Sequence, residues 1–421
     1  MAAHVVAATD LPLGASLPDL DRLTPDAAVA YGLKHNPQIA AGIAGVASSL
    51  ATYRSLGVPA PITVGASRVQ GSSSAPTLTG DTADTIVDLS GTLDTSGQRR
   101  YQAAGANATY KVTRYQFLET VVGLEQQIRD AYWSLAAAQA QTKIADVSLK
   151  EAQRVYDITV SQEKAGASPR GDVIRSSIDV ANAKQTLMAA QSAEKSSLIT
   201  LNNLLARPPQ EAARLTVDLS DESESAPHVD LPSVGDLNKE ASANRPLLKA
   251  SEEQVHVATY GVRQAESSRF PDFSVSYQRS VEQQLDAWTF SVNLPLFDFG
   301  GINQSVKAAK ESRKQAEAQL VQAQQQVAQQ VAQALTDLKA AVDAASSFKA
   351  EILDPSVTLL GIAKLGYQQG ATGILPVIDA ESTIRNARVG YISNLLAIYK
   401  AQDEMQAALG KSSLPMPKGM K

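Results

Sequence analysis

The chain is written twice, and this limits its fold more than any single motif does. The stretch "HNPQIAAGIAGVAS" at 35–48 is answered by "NRPLLKASEEQVHV" at 244–257, with Pro37 and Pro246 separated by 209 residues. "EQQIRDAYWSLAAAQ" at 125–139 is answered by "AQQVAQALTDLKAAV" at 328–342, a shift of 203, and "KAGASPRGDVI" at 164–174 by "QQGATGILPVI" at 368–378, a shift of 204. Landmarks in one order at nearly constant spacing indicate a duplicated unit of about 200 residues. The reading is an N-terminal extension (1–23), a first repeat (24–206), a connector (207–232), a second repeat (233–410) and a C-terminal tail (411–421). The connector is rich in Pro, Ser and acids, as linkers are.

Each repeat switches from strand-like to helix-like sequence at a short joint. "LDTSGQRR" at 93–100 and "FDFGGINQ" at 297–304 align Asp94 with Asp298 and Gly97 with Gly301, both at a shift of 204. Glycine relieves the backbone at such a turn, and the short polar side chains can cap the helix that follows. After each joint comes a long helical hairpin, about 98–206 and about 301–410. Val121, Leu124, Ile128, Ala131, Leu135 and Ala138 step by 3 and 4, as do Val327, Val331, Ala334, Leu338, Ala341 and Ala345. That is the 3.5-residue period of a supercoiled seam, Ala-rich so that helices approach closely. A first helix from about 98 to 163 would be roughly 100 Å long at about 1.5 Å per residue. Pro355 should kink the second, about 301–367, near its far end. Gly166 and Gly370 mark the hairpin turns.

Before each joint lie two alternating runs, about 61–94 in the first repeat and about 271–297 in the second. Phe273, Val275 and Tyr277 alternate with Ser274 and Ser276; Trp288, Phe290, Val292 and Leu294 alternate with Thr289, Ser291 and Asn293. One face is apolar and the other small and polar. Two interpretations fit: a half-buried hairpin on a water-soluble core, or strands of a transmembrane β-barrel with a wet lumen. A lone hairpin is marginal in water, and four strands cannot close around a lumen. Oligomerisation resolves both.

Composition narrows function. The net charge is −5 and no dense Lys/Arg cluster occurs, so nucleic-acid binding has no support. There are no cysteines, and the four histidines (His4, His35, His228, His256) never fall at i,i+3 or i,i+4, so a metal site of those kinds is not expected. No phosphate-binding or dinucleotide fingerprint and no catalytic constellation is present, so neither an enzyme nor a cofactor is expected. No run of about 18 apolar residues offers a membrane helix. The amino terminus lacks a basic region ahead of an apolar one and reads as a mature start.

With the "NPQIAA" and "NRPLLKA" helix openings, "LPLFDFGG" before the second long helix, and the paired tips "AGASPRGDVI" and "QGATGILPVIDA", the sequence resembles the outer-membrane efflux proteins, the TolC-like channels, over about 24–410. The resemblance implies a mixed α and β membrane protein: a homotrimer giving four strands per protomer to a twelve-stranded transmembrane barrel, which continues into a long periplasmic α-helical coiled-coil barrel. Such a protein sits in the outer membrane of a Gram-negative-type bacterium, among its lipids. It serves a tripartite efflux or type I secretion system as a passive exit duct with a gated periplasmic tip, alongside a periplasmic adaptor (membrane fusion) protein and an inner-membrane transporter. Phe273, Val275, Tyr277, Trp288, Phe290 and Val292 would face lipid. Gly166, Ala167, Ser168, Gly370, Ala371 and Thr372 would meet the adaptor. Asp172 matches a family aspartate that Tyr367 can bond, holding the tips shut. Thr372 stands where a second latch has arginine. Asp379 matches one of two constriction aspartates, and Pro376 replaces the other; from local sequence Asp172 equally fits a helix N-cap and Asp379 a solvated helix face. The competing class is a soluble structural coiled coil or surface adhesin, which has no need of the aromatic strand pairs.

Overall fold

The computed structural model describes residues 22–72, 81–166, 168–220, 233–281, 284–293 and 298–411. The first half runs α1 (Pro25–His35), α2 (Pro37–Gly57), β1 (Thr63–Ser72), β2 (Asp81–Leu93), α3 (Gln98–Lys164) and α4 (Arg170–Leu204). The second half repeats the order with α5 (Val234–Asn244), α6 (Pro246–Ser267), β3 (Asp272–Ser280), β4 (Leu285–Asn293), α7 (Gly301–Phe348), a π-helical turn (Lys349–Leu353), α8 (Asp354–Gln368) and α9 (Leu375–Ala408). Two compact units emerge. A sheet unit comprises Ala44–Phe117 and Pro246–Gln324; a helical unit comprises the chain up to Ile43, Leu118–Arg245 and the chain from Gln325 on.

In the sheet unit, four antiparallel strands pair in the order β1-β2-β3-β4, so the two halves join along β2·β3. Strands reach further into the connecting segments than alternation alone suggests. β1 continues to Ser72 and β2 begins at Asp81, inside the polar stretch that reads as loop. The ladder is backbone bonding and tolerates polar side chains. The Pro295–Leu296–Phe297 stretch, with Leu294, lies outside the described residues.

The helical unit closes each half of the duplication by the same device. Proline at 37 and 246 forces the preceding residue into extended backbone, and Asn36 (φ −68°, ψ 127°) and Arg245 (φ −62°, ψ 119°) take it. Each then reaches the last turn of its own half's final helix: Asn36 Nδ2 donates to the Leu204 carbonyl at 2.9 Å, and Arg245 donates to the Ala407 carbonyl. Both final helices end in a left-handed residue, Ala206 (φ 54°) and Gly410 (φ 70°). The following amide bonds back, Arg207 to the Asn202 carbonyl at 2.8 Å and Lys411 to that of Gln406 at 3.1 Å, which is the Schellman pattern.

The long helices differ by one residue, and the π turn absorbs it. From Gln98 to Lys164 is 67 residues, whereas Gly301 to Gln368 is 68 (48, 5 and 15 in the three pieces). The Asp354 amide bonds the Lys349 carbonyl, five residues back. Pro355, the second residue of α8, has no amide to give, so the widened turn sits where the expected kink lies.

Candidate functional site

Two regions hold the residues singled out by sequence: the sheet with its joints, and the hairpin tips. In the sheet, cross-strand register decides which side chains share a face. Phe273 faces Val292, Val275 faces Phe290, and Tyr277 faces Trp288; the Tyr277 and Trp288 rings lie 5.0 Å apart. On the other flank Tyr277 pairs with Leu89, and Leu89 with Val64. One apolar face therefore runs across all four strands, and it is bare: Phe290 is 75% exposed and Trp288 65%. The opposite face carries Ser90, Ser276 and Thr289 in one row, with Thr63 and Ser90 hydroxyls 2.7 Å apart.

The joints do the work their residues suggest, with one shift of position. Asp94 accepts from the Arg99 amide at 3.0 Å and Asp298 from the Ile302 amide at 2.8 Å. Each thus caps the second residue of its long helix. The Ile302 and Gly300 amides, in that order, hold the Asp298 carboxyl below the usual carboxylate range. The left-handed glycines are Gly97 (φ 74°) and Gly300 (φ 88°); Gly301 is already the first helical residue. The second joint is one residue shorter between aspartate and helix, so the conformational partner of Gly97 is Gly300. That is why the repeat shift drops from 204 at Asp298 to 203 along the helices.

At the tips, Gly166 (φ 75°) and Gly370 (φ 71°) turn the chain out of α3 and α8. The Ala371 amide returns to the Gly366 carbonyl at 2.9 Å, closing the second tip. Ala167 lies outside the described residues. Thr372 packs on Gly366, where a Cβ would stand 3.0 Å from its hydroxyl. Asp172 is not the N-cap of α4; that position is Pro169, and Asp172 sits in the first turn, accepting from Ser168 at 3.3 Å. Tyr367 does not bond Asp172 within the chain. Its hydroxyl donates to Gln162 on α3. Asp379 is exposed on α9.

Around Tyr367 lies a polar clasp that sequence reading did not find. Lys364 on α8 contacts Glu381 on α9 at 2.7 Å and Glu151 on α3 at 3.9 Å. Beneath it pack Ala363, Ile374, Val377 and Ala380 with Val155 and Leu360. Asp179 on α4 is pushed up by burial, against the pull of Arg385 and with repulsion from Glu381. The i,i+3 spacing of Lys364 and Tyr367 was the available signal, but Gln162 and Glu151 lie more than two hundred residues away in sequence and Glu381 lies across a hairpin.

Comparison with known proteins agrees with the duplication. The family model described as "Outer membrane efflux protein" matches residues 32–207 and again 237–411, starts 205 apart and ends 204 apart. The chain is 23% identical over 321 residues to the cobalt-zinc-cadmium resistance protein CzcC of Cupriavidus metallidurans, covering 76% of this chain and 75% of CzcC. It is 23% identical over 336 residues to the pyoverdine export outer membrane protein OpmQ of Pseudomonas aeruginosa, covering 76% and 68%. Among solved structures, the outer-membrane channel OprN superposes with a TM-score of 0.79 at 23% identity, over 94% of this chain and 92% of OprN.

Proposed function

This chain belongs to the outer membrane efflux protein family, and from that premise we propose that it is the passive exit duct of a tripartite efflux or type I secretion system. Three copies would each give four strands to a twelve-stranded barrel in the outer membrane, and the helices would continue the conduit through the periplasm. The observation that carries this is the two-faced sheet. Its apolar face is bare, and β1 and β4 each have one unpaired edge among the described strands. Unpaired strand edges are not tolerated in lipid, and only closure removes them. Further copies of the same sheet supply that closure, with Ser- and Thr-lined faces turned to the lumen.

A face-selective substitution tests this. Phe290→Arg places a charge on the lipid side, at a cost of about 2–4 kcal/mol per copy near the bilayer centre. It should abolish outer-membrane assembly, read as loss of heat-resistant oligomer in membrane fractions. Thr289→Arg, one residue away on the wet face, should assemble normally. Equal tolerance of both would refute the assignment of faces.

The tips follow from the same premise. Gly166, Ala167, Ser168, Gly370, Ala371 and Thr372 would meet a periplasmic adaptor that links the duct to an inner-membrane transporter. Asp379, exposed near the start of α9, would repeat three times around the constriction, with Asp172, Tyr367 and Thr372 beside it. Deleting 370–373 should stop export while leaving oligomers intact; loss of the oligomer instead would remove these residues from the docking role. CzcC carries a cobalt-zinc-cadmium resistance name and OpmQ a pyoverdine-export name at equal identity to this chain. Identity at this level therefore does not select a cargo.

A further inference from the structure

The wet face of the sheet is not electrically neutral. Register places Asp88 on it, paired with Gly65 on one side and Gln278 on the other. Asp272 lies on the same face at the start of β3, two residues before Ser274. Among the described side chains of that face there is no Lys or Arg. The strand arginines fall on the opposite side: Arg279 pairs with Val87, and Arg68 shares its face with Val64 and Ala66. Arg279 is moreover partnered by Asp286 at 3.8 Å, whereas no ion pair among the described residues neutralises Asp88. The Asp88 carboxylate lies flat over Gly65, where a Cβ would come within 2.2 Å of Oδ1. A residue with a side chain at 65 would lift the carboxylate away, so glycine there sets where the charge sits.

We infer that Asp88 is a specificity-determining residue: it makes the barrel segment of the duct a cation-favouring filter, separate from the tip. The inference rests on the polar face lining the lumen. Twelve strands spaced about 4.8 Å and tilted about 40° give a wall radius of roughly 12 Å. With side chains inside that wall, the axis lies about one Debye length from the carboxylates at physiological salt, about 8 Å. The potentials of three Asp88 carboxylates then overlap on the axis at physiological salt and are screened out near molar salt. Cations and cationic small molecules would leave more readily than anions of equal size.

The chain has no cysteine, so one introduced thiol reports the local potential without requiring the duct to conduct. Gln278→Cys sits directly opposite Asp88, and its reaction with a cationic and an anionic methanethiosulfonate reagent of similar size is measured in purified oligomer. The ratio of the two rates cancels any change in thiolate fraction. At low ionic strength the cationic reagent should react roughly tenfold faster. Asp88→Asn in the same background should bring the ratio close to one, and molar salt should do so in the parent. A ratio that Asp88→Asn leaves unchanged overturns the filter while keeping the duct. A Gln278→Cys thiol that water-soluble reagents cannot reach, with a Phe290→Cys thiol that they can, overturns the facing of the sheet and the duct reading with it.

Discussion

Arg245→Ala should destabilise the helical unit by about 3–5 kcal/mol, toward the lower figure because Glu119 is partly exposed. Asn36→Ala at the equivalent break should cost only about 1 kcal/mol. Arg245 is 8% exposed and serves three acceptors on three helices. It donates to the Ala407 carbonyl at the end of α9, to Glu119 on α3 at 2.8 Å and to Gln330 on α7 at 3.2 Å. Alanine removes a buried planar cation that links the three helices, leaving the Glu119 carboxylate without its arginine and the Ala407 carbonyl with only the Gly410 amide at 2.9 Å. The Arg245 backbone also lies 2.8 Å from where a Gly410 Cβ would be, so the site cannot refill by shifting the chain. Asn36 makes two neutral bonds, to the Leu204 carbonyl and from the Gln38 amide at 2.8 Å. Thermal unfolding in detergent, read by helical circular dichroism, separates the two variants. Arg245→Lys should recover only part of the loss, since an ammonium cannot reproduce the fork. Equal, small shifts for both alanine variants would show that the Arg245 node is not what ties the second half together.

That contrast also shows what the sequence could and could not reveal. The repeated prolines at 37 and 246 were legible because they fix backbone locally. The carbonyls that Asn36 and Arg245 reach were not, being 168 and 162 residues away. The joints were legible as Asp plus Gly, yet alignment chose Gly301, whereas the left-handed residue is Gly300. A one-residue difference in loop length cannot be placed by matching letters, because only φ tells which of two adjacent glycines turns. The compensating residue in the π turn was visible solely as a repeat shift that returns from 203 to 204. Apolar alternation placed Phe273, Val275, Tyr277, Trp288, Phe290 and Val292 on one side, and register agrees. It could not give strand ends, since pairing continues through polar residues. At the tips, glycine turns were readable. The Tyr367 partner Gln162 was not, because a hydroxyl accepts many neighbours and packing selects one.

Raising pH from 5 to 8 should loosen the seam between α3 and α9 by on the order of 2 kcal/mol. Asp403, 6% exposed, accepts from Trp133 Nε1 at 2.9 Å, with Arg129 Nε 4.0 Å away. The Trp133 ring stacks on Tyr399 at 3.9 Å and so fixes that bond's direction. Arg129 is divided, since it also holds exposed Asp26 at 2.6 Å. Asp130 stands beside it on α3 with Oδ1 buried and unpaired, facing Lys400 and Glu404 of α9. Four carboxylates thus share two cations. Burial is the largest influence and pushes both Asp130 and Asp403 from 3.8 up to about 6, with Lys400 and Arg129 respectively pulling back. The folded state therefore binds protons more tightly than the unfolded chain. The stabilisation is complete below about 3.8 and is lost as pH rises through about 6. Hydrogen exchange over 395–408, corrected for intrinsic rate, should show greater protection at pH 5.5 than at pH 7.5. Asp403→Asn keeps an oxygen for Trp133 while removing the charge, and Asp130→Asn removes the unpaired carboxylate. The double variant should lose the pH dependence and be the more protected protein at pH 7.5. A double variant with the wild-type slope would place the titrating groups elsewhere, because no charge would then remain at either buried position to respond to pH.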